Sequence, residues 1–301
     1  MTATDPKTQP DWHQIGWNGL RFRVPQTWQP AKIGRHYMMF EDGSGPRMEL
    51  KWNAVKGTFS PKANLRKIGA AHSRALRKSL RIQLLPASWQ KALQRFDTTG
   101  FSWQSDATTG NGVMLYCRHC KKATLIQFLG LQSNSERLLY DSVLSSFRDH
   151  PENESVLWRL YDIRAQLPRD MSLKQHRFNA GAFQLEFEFQ KAIFGLHRWA
   201  PANALLQNIG LQGFAEQWAG HYSNQPLDLQ HDGDAALAAL VPSPRSRLAR
   251  YFPVIPQPAG LQFVRIWHLE VQNRILALRV EGRRLPDLGL IESICRDFEA
   301  V

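Results

Sequence analysis

VMLYCRHCKKATLIQFLG, Val113 to Gly130, and VRIWHLEVQNRILALRVE, Val264 to Glu281, align without a gap at an offset of 151. Each reads as a β-hairpin, and its occurring twice makes self-similarity the first question, because a missed repeat misreads the whole fold. Tyr116 then meets Trp267, Leu125 meets Leu276, and Phe147 of DSVLSSF meets Phe298 of ESICRDF. Further out the offset shifts, as loops of unequal length require. LRFRVPQTW from Leu20 corresponds to YDIRAQLPRDM from Tyr161, with Pro25 opposite Pro168. RMELKW from Arg47 corresponds to QLEFEF from Gln184, and FSPKANLRKIG from Phe59 to WAPANALLQNIG from Trp199.

Each half therefore predicts the same succession. A strand ends at a proline, two alternating strands form a hairpin (turning at EDGSG in one half and NAGA in the other), and a helix begins near Pro61 or Pro201. Further strands follow, and an amphipathic helix closes the unit, with Leu139, Tyr140, Val143 and Phe147 on one stripe. The fold class expected is α+β, two tandem copies of an antiparallel sheet covered by helices. The domains are residues 1–150 and 151–301, joined at the polar DHPENES, Asp149 to Ser155. The loop 221–260 is read as an insertion of the second copy.

This element order, opening on LRFRVPQTW, resembles the PsbP-like fold, shared by a photosystem extrinsic subunit, a Ran-binding nuclear transport factor and many bacterial domains. The resemblance implies a sandwich that acts as a binding or accessory module, and it carries over no site residue.

Charge separates the halves. The chain is +12 overall, yet residues 1–150 hold 22 Lys and Arg against 10 Asp and Glu, whereas residues 151–301 hold 16 of each. Lys62, Arg66, Lys67, Arg74, Arg77, Lys78 and Arg81 lie on the helix expected over SPKANLRKIGAAHSRALRKSLR, while Leu65, Ile68, His72, Ala75 and Leu76 face the sheet. The counterpart helix has the same apolar stripe and no basic residue, so the fold does not require the charge. Unpaired like charges on a helix repel at i,i+4 by ~0.2–0.5 kcal/mol a pair, a cost that an anionic partner removes. An acidic protein surface and a nucleic acid are the two candidates. Aromatic residues that would stack on bases are absent between Lys62 and Arg81.

Cys117 and Cys120 flank a hairpin turn, the shape of one metal-binding knuckle. They align with His268 and Val271, so the turn itself needs no thiol. Zinc is the cofactor they suggest, although it wants four ligands; the rest would come from a second chain, giving a homodimer, or from distant His13 or His36. The neighbouring Arg118, Lys121 and Lys122 are expected to lower the thiol pKa. Cys295 reads as a small buried side chain.

Other chemistry is set aside. No phosphate loop, nucleophile elbow, dinucleotide fingerprint or HExxH motif occurs. Glu186 and Glu188 share one face of a strand and read as an ordinary charge-paired face, so no catalytic residue is assigned. No apolar run approaches the ~18 residues of a membrane helix, and the start lacks the order of a secretory signal, which points to the cytoplasm. The expectation is a non-catalytic adaptor that meets an anionic partner through the basic helix. The alternative is a metal-dependent or redox factor, or an enzyme, using Cys117 and Cys120 or the inter-domain cleft.

Overall fold

The structure is a computed structural model that describes residues 11–65, 80–105, 108–130, 134–222, 229–231, 236–243 and 260–301. The chain divides into two compact units, Met1–Glu152 and Asn153–Val301.

In the first unit β1 (Trp12–Trp17) and β2 (Leu20–Pro25) form a hairpin. Its turn places Asn18 and Gly19 at φ of 47° and 85°, left-handed geometry that this residue pair tolerates. Seven further strands build one antiparallel sheet: β3 (Gln29–Gly34), β4 (Tyr37–Asp42), β5 (Gly45–Ala54), β6 (Arg81–Gln83), β7 (Asp97–Gln104), β8 (Thr109–Cys117) and β9 (Lys122–Leu129). Their spatial order is β3-β4-β5-β9-β8-β7-β6. Helices α1 (Ala87–Ala92) and α2 (Asn134–Ser146) complete the unit.

Both faces of this sheet are buried. Met38, Phe40, Met48, Leu50, Val113, Leu115, Ile126 and Phe128 share one face by register and pack under β2 and α2. There Phe128 stacks on Tyr140 at 4.1 Å, and Phe22 meets Phe40 edge-on at 5.8 Å. On the opposite face Phe101, Trp103, Met114 and Leu125 enclose Leu65 at the end of a helical turn over 61–65. Two glycines make room for the rings, since Gly110 lies opposite Trp103 and Gly112 opposite Phe101. A Cβ on Gly112 would sit 2.4 Å from Phe101 Cζ and 2.5 Å from the Ile126 carbonyl oxygen. The backbone carbonyl cannot yield as a side chain can, so Gly112→Ala is expected to cost about 3 kcal/mol in urea unfolding. A loss below ~1 kcal/mol would show that the strand gives way.

The second unit repeats this arrangement. Strands β10 (Ser155–Leu160) and β11 (Ile163–Pro168) pair as β1 and β2 do, with Ser155 opposite Pro168 as Trp12 is opposite Pro25. The sheet contains β12 (Ser172–Asn179), β13 (Ala182–Phe189), β14 (Ala192–Trp199), β15 (Gln230–His231), β16 (Ala236–Ser243), β17 (Gly260–Leu269) and β18 (Arg274–Gly282). Their order, β12-β13-β14-β18-β17-β16-β15, is that of the first unit strand for strand. Helices α3 (Ala202–Leu206) and α4 (Gly210–Gly220) cover one face, and α5 (Leu288–Asp297) with β10 and β11 the other. A last short strand, β19 (Glu299–Ala300), pairs with β11.

The helix-covered sandwich is overturned by this inventory. Among the described residues nineteen strands stand beside helices of only 5 to 13 residues, which makes a sheet-rich fold of antiparallel strands. A seven-stranded sheet is ~29 Å across and a 13-residue helix ~20 Å long and ~10 Å wide, so a single helix shields about two strands. In each unit a strand pair takes over much of the cover.

Three further expectations change. The residues 221–260 are not simply an insertion, because β15 and β16 fall there and occupy the places of β6 and β7. RMELKW lies in β5, whose counterpart in the sheet is β14, so QLEFEF in β13 answers to β4 instead. The central hairpins superpose one residue away from the gapless alignment. Each has a four-residue loop, Cys117 pairs with Lys122 and Leu269 with Arg274, and Lys121 and Asn273 carry matching φ of 53° and 55°. Cys117 therefore matches Leu269, and Cys120 matches Gln272. Strands β9 and β18 are buried on both faces, so apolar alternation, the usual marker of register, is missing from them.

Candidate functional site

Cys117 extends the row Val113, Leu115 on the face of β8 that looks toward α2, and it is buried. Four loop residues later the chain re-enters as β9, with Lys121 in the left-handed region to close the turn. Cys120, in that loop, aims its thiol at the segment leaving α2. That segment is fixed by a reciprocal backbone pair between Arg21 and Arg148, at 2.9 and 2.7 Å. Asp149 and His150 come next in the chain, against the hairpin tip.

The Cys120 thiol donates to Asp149 Oδ2 at 2.9 Å, and His150 Nδ1 lies 2.8 Å from Asp149 Oδ1. The same Nδ1 faces Cys117 Sγ at 3.8 Å. Donor atoms of all four residues lie within 4.8 Å of one another. Lys122 Nζ donates to the Asp149 carbonyl oxygen at 2.6 Å, and the His119 ring lies 5.0 Å from that of His150. Asp149 is only 2% exposed, so its carboxylate depends on these neighbours for compensation.

The cation-lowered thiol expected from the sequence is reversed at Cys120. Burial first, then the hydrogen bond and charge of Asp149, push it up to about 12. Arg118 is spent elsewhere, in a bidentate pair with Asp97 at 2.8 Å. Cys117, Cys120 and Cys295 are all free of disulfides.

A second feature lies at the sheet edge. Arg81 is exposed, and it belongs to β6 rather than to a helix. It lines a groove of about 450 Å³ with Ser102, Trp103, Asn111 and Arg137. Beyond it Ile82 and Leu84 are 54% and 93% exposed. Lys62 is exposed on the helical turn 61–65, whereas Arg66, Lys67, Arg74, Arg77 and Lys78 lie outside the described residues. The apolar positions Ile68, His72, Ala75 and Leu76 and the loop arginines Arg245, Arg247 and Arg250 lie outside them too.

No known family model matches the chain. No curated protein matches it either. Among solved structures, the T6SS immunity protein TplEi from Pseudomonas aeruginosa is 11% identical over 96% of this chain and 97% of that one, at a TM-score of 0.35. The Tle4–Tli4 complex matches at 10% identity over 96% and 97%, with a TM-score of 0.31. A Bacteroides thetaiotaomicron VPI-5482 crystal structure is 13% identical over 54% of this chain, at a TM-score of 0.30, and the chain spans 55% of its length. Superpositions this loose carry no argument about function.

The sequence pointed to Cys117 and Cys120, and the structure sets Asp149 and His150 beside them. Among the described residues neither His13 nor His36 belongs to the cluster; His36 packs edge-on against Trp52 at 6.1 Å. By sequence Asp149 and His150 belong to the polar junction DHPENES. A signal for them does exist, since the matching positions of the second unit are Ala300 and Val301. Glu186 and Glu188 are engaged by Arg279 and Lys174, at 3.4 and 2.6 Å. No described helix is long and apolar enough to cross a membrane.

Proposed function

We propose that this protein is a non-catalytic accessory protein that docks an acidic surface of a partner protein. Its docking side is the basic stretch of the first unit, from Lys62 through Arg66, Lys67, Arg74, Arg77 and Lys78 to Arg81. The observation that carries this reading is the end of that stretch: Arg81 on the outermost strand of its sheet, with Ile82 and Leu84 exposed beside it. Outer strands are ordinarily protected by charge, twist or a cover, and large aliphatic residues on them favour a partner. Cations steer an acidic surface onto the site, and the aliphatic pair supplies burial once it is there. Exposed aliphatic side chains give a phosphate backbone nothing to bind, so protein is favoured over nucleic acid.

Capture from cell extract at low and high salt, with the bound species identified by mass spectrometry, tests the reading. An acidic protein is expected to be retained at low salt and released at high salt. Retention should fall by ~10-fold or more in the triple variant Arg74→Ala, Arg77→Ala, Arg81→Ala, and again in Leu84→Ser, with little change in thermal stability. Capture that survives the triple change, or that is lost to nuclease, overturns it.

A further inference from the structure

The thiol, imidazole and carboxylate groups at the tip of the β8–β9 hairpin have four chemical readings. A cysteine–histidine–aspartate catalytic relay needs the acid and the nucleophile on opposite ring nitrogens. Here Asp149 and Cys117 both address His150 Nδ1, so no relay is formed. A dithiol redox pair has no use for the aspartate and histidine wedged against it. A plain structural core is a third reading, and the second unit argues against it. At the matching positions that unit has Leu269, Gln272, Ala300 and Val301, so the same hairpin, helix and exit segment form with none of the four donors. The four donors are thus present together in one unit and absent together from the other. A metal ion is the fourth reading, and it is the one that uses every group.

We propose that Cys117, Cys120, Asp149 and His150 form a closed four-ligand site for a zinc-class divalent cation, which clamps the β8–β9 hairpin to the chain leaving α2. Tetrahedral zinc, with ~2.3 Å bonds to sulfur and ~2.0 Å bonds to nitrogen and oxygen, holds its ligands ~3.3–3.8 Å apart. The donors span that range: 2.8 and 2.9 Å for the two contacts of Asp149, 3.8 Å for Cys117 to His150, and no pair beyond 4.8 Å. Ångström-scale side-chain rotations are enough to seat the ion. Two sulfur donors select zinc, cobalt or ferrous iron over magnesium and calcium. On binding, each thiol loses its proton to solvent and the sulfur lone pair becomes a metal bond, with no change of oxidation state. Two thiolates and a carboxylate leave the filled site one negative charge in excess of the ion. Lys122, bonded to the Asp149 carbonyl, stands beside it to balance that charge. Four protein ligands leave no open position, so the role is structural, and the site is independent of the docking side.

Full-length protein, reduced and freed of metal, is titrated with Co²⁺ and then with Zn²⁺. The expected result is one cobalt per chain, with the visible bands of tetrahedral cobalt and a thiolate charge-transfer band, both erased by zinc. Cys120→Ser and His150→Ala should each weaken binding by ~100-fold or more, and Cys295→Ser should leave it unchanged. The proposal is overturned if the folded, reduced wild type takes up no cobalt, or if the spectrum lacks thiolate character. An unaltered spectrum in Cys120→Ser overturns it as well. The wild-type titration decides the matter even if a variant fails to fold, and partner capture does not enter into it.

Discussion

Replacing Arg279 by alanine is expected to destabilise the chain by about 3 kcal/mol, read as a shift of the urea midpoint at unchanged slope. Arg279 is 5% exposed in the middle of β18. Its guanidinium bonds Glu281, reaches Glu186 at 3.4 Å, and lies 4.3 Å over the Tyr222 ring. Alanine removes the cation and leaves Glu186, whose side chain is 20% exposed, without its ion-pair partner. Glu281 is 37% exposed and can turn to water, which keeps the cost toward the low end for a broken buried pair. Pairing Arg279→Met with Glu186→Gln should recover most of the loss, because the stranded charge goes too. A single variant within ~1 kcal/mol of wild type would mean that water already reaches the pair.

His197 predicts a second large effect, in acid. It is 3% exposed and sits among Trp199, Trp218 and Tyr222, with ring centroids at 5.5, 5.1 and 6.0 Å. Burial, and then the charge of Arg279, lower its pKa from 6.5 to about 3. Between those values the unfolded chain binds a proton that the folded chain refuses. Stability is therefore fully present above pH 6.5 and is lost as pH falls toward 3, by ~3 kcal/mol at pH 4.5. His197→Gln removes this proton from the balance. The difference between wild type and variant in their loss from pH 7 to pH 4.5 isolates the histidine, and equal losses would refute the assignment.

Arg279 also shows where reading the sequence came up short. By strand pairing its counterpart is Gln127, which bonds Glu49 and accepts from Trp103 Nε1 at 3.0 Å. Each unit thus buries a polar group at the same point of its sheet. The gapless alignment set Arg279 opposite Phe128 instead, one residue out and on the other face. Where one face is wet, alternation betrays the register; β9 and β18 are covered on both sides and offer no such signal. Turns were more legible. Pro25 and Pro168 do end β2 and β11, and the hairpins turn near residues 120 and 272. Tyr140, Val143 and Phe147 do lie on the buried side of α2 and its exit. The extent of helical cover was misjudged because helix length alone does not reveal how much sheet awaits a cover.

Sequence by itself determined the features that reside in a few consecutive residues: proline strand ends, hairpin turns, the cysteine spacing and the cation excess of one half. These follow from backbone sterics and from composition, which neighbours along the chain suffice to express. Only the tertiary structure decided strand order, register and the meeting of Cys117 and Cys120 with Asp149 and His150, across 29 to 33 residues of chain. Such meetings depend on which elements pack together, and packing is settled by burial summed over the whole sheet rather than by any local stretch.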